Sequence, residues 1–326
     1  MSIKELYGFL GADMARVETL IGTALGSDIA LLNQTNRQLR EHPGKMLRPM
    51  LSLLVAGAAG EKTEDSFRFA AAVELLHNAT LLHDDVVDGA AQRRGLPTLY
   101  TLLGGGPAVL VGDYWLVSSL KLILSAKNRV QEALALFSGT LGHLTEGELL
   151  QMEKASRGDT TEADYLRIIY GKTASLFETA ARVATLSVQA GETVTDAMGG
   201  YARLLGTAFQ IKDDIFDYQE PSAALGKPVG IDLQEQNITQ PLLCAQEMVS
   251  PEEAAAVRSK VARVADHPAL AEEIRAFVRV HDGVALSEAV MDRYIDQAVA
   301  CLDILPESEE KEYLATLARY IGDRNV

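Results

Sequence analysis

The sequence predicts an all-α fold in a single domain spanning residues 1–326. Three observations carry that expectation. Helix formers dominate, and there is no run of short alternating strands with turn dipeptides. No proline occurs between Pro107 and Pro221, and a proline in a helix interior removes a hydrogen bond and clashes with the preceding turn. No linker or low-complexity stretch divides the chain, whose apolar fraction of 48% is ample for a core.

The elements follow in order. Lys4 to about Leu25, Asp28 to Glu41 and Lys45 to Gly57 read as helices. Glu64 to Gly89 is next. It is apolar nearly all round, through Ala70, Ala71, Ala72, Val73, Leu75, Leu76, Ala79, Leu81 and Leu82, and such a helix is usually buried. The proline-free span holds several long helices, with breaks near Ser125–Asn128, Ser156–Thr160 and Ala190–Thr195. Asp159-Thr160-Thr161-Glu162 and Gly191-Glu192-Thr193-Val194 supply turn and N-cap signals. Pro221 to Pro241 reads as an irregular loop rich in Gly and Pro. Pro251 to Ala265, Ala269 to Val280, Gly283 to Ile304 and Glu307 to Asp323 complete the helices.

Composition narrows the function. A net charge of −15 argues against a nucleic-acid partner. Two cysteines, Cys244 and Cys301, lack metal-type spacing and fit a reducing cytosol. The opening Met-Ser-Ile-Lys-Glu-Leu-Tyr is not signal-like. Asp113 interrupts the apolar stretch Pro107 to Leu116 before it reaches membrane-spanning length. The expectation is a soluble cytoplasmic protein with no membrane span.

Two aspartate triplets organise the chain: Asp84, Asp85 and Asp88 in Leu-Leu-His-Asp-Asp-Val-Val-Asp, and Asp213, Asp214 and Asp217 in Phe-Gln-Ile-Lys-Asp-Asp-Ile-Phe-Asp. In a helix, residues four apart share a face, so Asp84 stands over Asp88 and Asp213 over Asp217. Carboxylates stacked in an apolar setting repel unless a cation joins them. Mg²⁺ suits the task, because it takes one or two carboxylates and fills its other positions with water and phosphate oxygens. A lone triplet is more often a solvated helix face, but a second copy in an equally apolar setting is not.

Cations accompany the triplets. Gly-Lys-Met-Leu-Arg-Pro carries Gly44, Lys45, Arg48 and Pro49. His77 lies seven residues before Asp84, and Arg93 and Arg94 lie just downstream. Gln210 precedes the second triplet, Lys172-Thr173 lies in an earlier helix, and Lys227 follows in the Gly/Pro-rich loop, with Asp232 beyond it. Guanidinium forks and lysine point charges suit phosphate oxygens. Carboxylates and phosphate-type cations together imply a phosphate-rich substrate bridged by metal.

In order, G-K-x-x-R-P, H-x(6)-D-D-x-x-D, R-R-G, K-T, F-Q-x-x-D-D-x-x-D and G-K-x-x-G-x-D-L resemble the trans-type polyprenyl diphosphate synthases, with the matching motifs running from Gly44 to Pro241. The resemblance implies a bundle of about a dozen helices around a deep central cavity, and a homodimer. It implies condensation of isopentenyl diphosphate with an allylic diphosphate primer such as farnesyl diphosphate, through a metal-assisted allylic cation. By the same resemblance, Asp84, Asp88 and Asp213 contact three Mg²⁺ ions, supported by Asp85, Asp214 and Asp217. Arg93, Lys172 and Lys227 hold the allylic diphosphate, and Lys45, Arg48, His77 and Arg94 hold isopentenyl diphosphate. Gln210 and the Lys172–Thr173 segment face the developing cation. Asp232 holds its loop or joins the metal's outer shell.

The chain departs from the family in one stretch. The usual lysine of the loop is Asn237, and the usual leucine is Gln240. Product length is expected to depend on the helix before the first triplet. Short-chain members carry a large aromatic residue four or five positions before the first Asp. Here these are Thr80 and Ala79, with Leu76 and Val73 further back. The open floor points to a product of about six or more isoprene units, by helix-face stacking. Close helix packing is the competing reason for small residues there. The alternatives are a short-chain farnesyl or geranylgeranyl diphosphate synthase, a weakly active or non-catalytic partner subunit, and a terpene cyclase. Ala79 and Thr80 argue against the first, the six retained aspartates against the second, and the Lys45, Arg48 and His77 set against the third.

Overall fold

The computed structural model describes residues 3–41, 44–93, 95–219 and 230–324. Arg94 and Lys227, both assigned roles above, lie outside the described residues. Seventeen α-helices occur among the described residues. They are α1 (Ile3–Phe9), α2 (Gly11–Ala24), α3 (Ala30–Arg40), α4 (Leu47–Ala59), α5 (Glu64–Val87), α6 (Leu99–Leu103), α7 (Gly105–Leu124), α8 (Val130–Arg157), α9 (Glu162–Ile169), α10 (Ser175–Ser187), α11 (Glu192–Tyr218), α12 (Ile231–Gln234), α13 (Gln240–Glu247), α14 (Pro251–Val261), α15 (Leu270–Val280), α16 (Gly283–Cys301) and α17 (Glu309–Asp323). A hairpin of β1 (Gln92–Arg93) and β2 (Leu96–Pro97) follows α5, with Gln92 opposite Pro97 and Arg93 opposite Leu96.

The all-α expectation holds, with more helices than the dozen expected. The expected first helix is two: Leu10 leaves helical geometry between Gly8 and Gly11, and buries its side chain completely. Glycine weakens helix propagation, so a break there is inexpensive. The Pro221–Pro241 segment, expected to be irregular, contains the short helix α12. The breaks at 125–129, 158–161 and 188–191 fall where the sequence puts them.

The chain divides into two compact units. One comprises Met1–Ser138, Leu176–Gly199 and Leu302–Thr316; the other comprises Gly139–Ser175, Gly200–Cys301 and Leu317–Val326. In the first unit α5 is the central helix, packed most extensively on α7 and also on α2 and α4. Phe69, Ala70, Ala71, Ala72, Val73, Leu75 and Leu76 are fully buried, as the all-round apolar pattern demands. α5 begins at a capping box, Thr63 with Ser66, and Thr63 also donates to Ser187 O at 3.0 Å.

The seam between α5 and α7 is tight. Ser119 Oγ donates to Ala72 O at 2.8 Å, and a Cβ on Gly112 would fall 2.4 Å from His83 Nε2. The opposite face of α7 is left apolar and open: Leu110, Val117 and Leu124 recur every seventh residue and are 69%, 47% and 61% exposed. By length and composition α7 is apolar enough to cross a membrane, so Asp113 does not interrupt it as expected. Nearly half of its apolar window is nonetheless buried within the protein.

In the second unit α13 is buried along almost its whole length and packs on α16, α15, α14 and α9. A π-helical turn, Tyr170–Ala174, joins α9 to α10. Gly171 in that turn cannot carry a side chain: its Cβ would stand 2.5 Å from His143 O and 2.9 Å from Gly147 Cα. The turn therefore lies backbone to backbone against α8.

Candidate active site

Each aspartate triplet sits at the C-terminal end of a long helix, the first ending α5 and the second near the end of α11. A helical step is about 100° per residue, so the second aspartate of each points away from the face that the outer two share. In both helices that middle residue is the buried one, Asp85 at 4% and Asp214 at 3% exposed.

In the first unit Asp85 accepts a 2.8 Å ion-pair hydrogen bond from Arg93 Nε, on β1. The hairpin thus folds Arg93 back on the triplet. Asp84 is half-buried and Asp88 exposed. The Gly44–Pro49 segment makes a sharp entry to α4, with Gly44 at φ 75° and Met46 at φ 49°. Lys45, between them, is exposed, and its carbonyl accepts from the Tyr7 hydroxyl. Arg48 is half-buried, its guanidinium 4.6 Å above the Phe177 ring. His77 is half-buried on α5, and its carbonyl accepts from Thr80 Oγ1 at 2.8 Å.

In the second unit each aspartate of the triplet is held differently. Asp213 Oδ1 accepts from Arg324 Nη2 at 2.6 Å. Arg324 is 7% exposed, also donates to Phe209 O, and lies 3.9 Å over the Phe209 ring. Asp214 accepts from Tyr165 Oη at 2.6 Å and from Gln210 Nε2 at 2.9 Å. Asp217 accepts the backbone N–H groups of Gly230, Ile231 and Asp232 at 2.8, 3.0 and 3.2 Å. Those are orphan donors at the start of α12, so Asp217 caps that helix from a distance. This explains why a helix forms in a segment that reads as irregular.

Electrostatics separate these carboxyls. Burial pushes Asp214 up to about 7; the Tyr165 and Gln210 hydrogen bonds oppose the rise, and the neighbouring Asp213 and Asp217 add to it. Burial also raises Asp217, against the lowering effect of its three backbone donors. Asp232 is raised well above the carboxylate range by burial, then by the like charges of Asp214, Asp217 and Glu235. Tyr165 is held protonated by its burial, and so remains a donor.

Lys172 and Thr173 lie on the π-turn, a geometry often found at functional positions. Lys172 Nζ is 2.7 Å from Glu148 Oε2 and 2.8 Å from Gln151 Oε1, both on α8. Thr173 Oγ1 donates to Gln210 Oε1 at 2.7 Å. A polar cavity of about 150 Å³ opens among these groups, lined by Tyr165, Lys172, Gln210, Asp214, Asp232 and Asn237. Asn237 therefore sits beside the second triplet, its Nδ2 donating to Glu235 Oε2 at 3.2 Å. Gln240, by contrast, is buried in α13, with Nε2 donating to Cys244 Sγ and Oε1 unpartnered.

Tyr165, Glu148, Gln151 and Arg324 were not singled out by sequence reasoning. No motif marks Tyr165, and Arg324 lies more than a hundred residues from its partner. The product-length positions also separate. Ala79 is 1% exposed and lies on the Ala72–Leu76–Ala79–His83 face, whose two ends touch α7. Thr80 is half-buried and lies on the face of His77 and Asp84. Val73 and Leu76 are fully buried.

The profile of the polyprenyl synthetase family matches residues 29–278. An octaprenyl diphosphate synthase of Haemophilus influenzae is 36% identical, over 100% of this chain and 98% of the relative. A crystal structure of a Caulobacter crescentus polyprenyl synthase, complexed with calcium and isoprenyl diphosphate, superposes with a TM-score of 0.91 at 33% identity, covering 100% of this chain and 98% of that one. A decaprenyl diphosphate synthase from Rhodobacter capsulatus superposes with a TM-score of 0.90 at 35% identity, covering 98% of each chain. The chain belongs to the polyprenyl synthetase family. It is a trans-prenyltransferase of isoprenoid biosynthesis.

Proposed function

We propose that the chain condenses isopentenyl diphosphate with an allylic diphosphate such as farnesyl diphosphate, and repeats the step to a long-chain all-trans polyprenyl diphosphate. The observation that carries this reading is full-length similarity to octaprenyl and decaprenyl synthases with all six triplet aspartates kept.

Mg²⁺ fits the donors present. Among the described residues no three Asp, Glu, His or Cys side chains cluster to hold a metal unaided. Stacked pairs of hard carboxylate oxygens, backed by phosphate-type cations, suit an ion that completes its shell with water and diphosphate oxygens. Asp84, Asp88 and Asp213 would hold three such ions, which would draw charge from the leaving diphosphate. Arg93, Lys172 and Lys227 would hold that diphosphate. Lys45, Arg48, His77 and Arg94 would hold isopentenyl diphosphate. Asp85 keeps Arg93 folded toward the triplet, and Asp217 anchors the end of the Lys227 loop through α12. Thr173 and Gln210 turn oxygen dipoles toward the allylic cation.

Relatives named for eight and ten isoprene units support the long product. Of the two positions expected to limit chain length, Thr80 is the one on the Asp84 face, whereas Ala79 is buried on the face of α5 whose ends meet α7. The exposed Leu110, Val117 and Leu124 stripe supports a homodimer, since such a seam is the usual face of helix pairing.

The test is a product assay with Mg²⁺, radiolabelled isopentenyl diphosphate and farnesyl diphosphate, with dephosphorylated products sized by chromatography. A ladder ending at long chains and abolished by EDTA is expected, and Thr80→Tyr should end it earlier. Products stopping at fifteen or twenty carbons would discard the long-chain reading. No incorporation from any primer would favour a partner subunit.

A further inference from the structure

Tyr165 belongs to none of the motifs that carry the resemblance, yet it makes one of the shortest contacts in the second unit. Its hydroxyl meets Asp214 Oδ2 at 2.6 Å, and both side chains are almost wholly buried, at 2% and 3% exposure. Asp214 Oδ1 takes the Gln210 amide nitrogen at 2.9 Å, and the Gln210 amide oxygen takes Thr173 Oγ1–H at 2.7 Å. Three elements, α9, the π-turn and α11, thus meet in a single chain of hydrogen bonds. The direction of that chain is fixed by its ends. Asp214 Oδ2 is taken by the Tyr165 hydroxyl and Oδ1 accepts the amide NH₂ of Gln210, while Thr173 Oγ1 donates to the amide oxygen. The amide oxygen is thereby left to Thr173 and to the cavity, while the opposite orientation would set oxygen lone pairs against a carboxylate.

Orientation matters to the chemistry. An amide oxygen stabilises a neighbouring carbocation, and an NH₂ group in its place repels it. We propose that Tyr165 is a positioning residue: by holding the Asp214 carboxylate it locks Gln210 with its oxygen, not its nitrogen, toward the reacting allylic carbons. This rests on the prenyltransferase reading above. The lock acts on the developing cation and not on either diphosphate, so its loss should lower kcat and leave substrate affinity alone.

The decisive variant is Tyr165→Phe in the full-length enzyme, which keeps the ring and removes the hydroxyl. A kcat about tenfold lower is expected, with both KM values within about twofold of wild type, as suits loss of one buried hydrogen bond. Calorimetric affinity for an unreactive thio-analogue of the allylic diphosphate should not change. Combined with Gln210→Leu, Tyr165→Phe should add no further loss, because both act through one amide. A wild-type kcat in Tyr165→Phe, or losses that multiply in the double variant, overturns the proposal. If Tyr165→Phe fails to fold by circular dichroism, Asp214→Asn replaces it, since its amide can accept Gln210 in either orientation. The same kcat loss at unchanged analogue affinity is expected, and a wild-type kcat again overturns the lock. A wild-type enzyme without any condensation would instead sink the prenyltransferase reading.

Discussion

The two aspartate triplets share one sequence pattern and are built into their units in opposite ways. In the first, only the middle aspartate is buried, and a full positive charge meets it, Arg93 on Asp85. In the second, the buried middle aspartate meets only neutral donors, Tyr165 and Gln210, while the flanking Asp213 meets the arginine. D-D-x-x-D is therefore a pair of carboxylates on one helix face together with a buried anchor one step round. What the anchor grips differs: the Arg93 guanidinium in one unit, the Gln210 amide and the Tyr165 hydroxyl in the other. Burial, opposed only by these neutral donors, pushes Asp214 up to about 7.

The division between outer pair and anchor is broken most directly by substituting each. Asp84→Ala and Asp213→Ala should each lower kcat/KM by about 10³-fold, the scale of losing one electrostatic contact to the leaving group. The unfolding midpoint should change little for Asp84→Ala, whose side chain is partly open, whereas Asp213→Ala also strips the buried Arg324 of its carboxylate and should lower the midpoint. Asp85→Asn should cost less activity. If Asp85→Asn proves as inactive as Asp84→Ala at unchanged stability, the anchor assignment is wrong.

Next in size is the charged partner. Arg93→Gln leaves a buried carboxylate without its cation. Breaking a fully buried pair costs about 3–5 kcal/mol, but Arg93 is more than a third exposed, so about 2 kcal/mol is expected from urea unfolding. Tyr165→Phe, which removes a neutral donor, should cost less. Equal losses would remove the distinction between the two anchors.

How far these roles could be read in advance follows from the same geometry. The helices were legible because apolar periodicity and proline spacing are local properties of the chain. So were the triplets, since a four-residue spacing places two carboxylates on one face whatever surrounds them. Burial of Asp85 and Asp214 was legible in principle from the 100° step. What each anchor binds was not, because Tyr165 lies forty-nine residues from Asp214, and Arg324 lies one hundred and eleven from Asp213. Ala79 shows the reverse difficulty. A small residue at a cavity position and a small residue in a helix seam look alike in sequence, and Ala79 is buried on the face of α5 whose ends, Ala72 and His83, meet Ser119 and Gly112 of α7.

The Asp214 anchor should also respond to pH. Asp214 has an ordinary value of 3.8 and sits at about 7 when folded. Between those values the folded protein holds a proton that the unfolded chain releases, so stability is greatest below about 4 and is lost as pH rises to about 7. Asp217 and Asp232 are raised as well and push the same way. Thermal melts of metal-free wild type and Asp214→Asn should therefore diverge with rising pH, the variant gaining by at most about 1.4 kcal/mol per pH unit. Parallel curves would show that Asp214 ionises freely, and the neutral-donor account of that anchor would fail.

The smallest effect concerns a cost carried only by the second unit. Gln240 stands where the family has leucine, at the start of a helix with no open face. Its amide nitrogen finds only the weak acceptor Cys244 Sγ at 3.2 Å, and its oxygen finds nothing. Further along the same helix, Gln246 Nε2 is also buried and unpartnered. A buried polar atom without a partner costs about 1–3 kcal/mol, and an apolar residue of similar size removes that cost. Gln240→Leu should therefore raise the unfolding free energy by about 1 kcal/mol in urea melts and leave kcat unchanged, since Gln240 is not among the residues lining the cavity beside Asp214. A loss of stability would mean that the Gln240 amide is satisfied by an ordered water, and that this helix depends on it. Either sign separates Gln240 from Asn237: one is a packing substitution inside α13, the other a charge withdrawn from the cavity wall beside the second triplet.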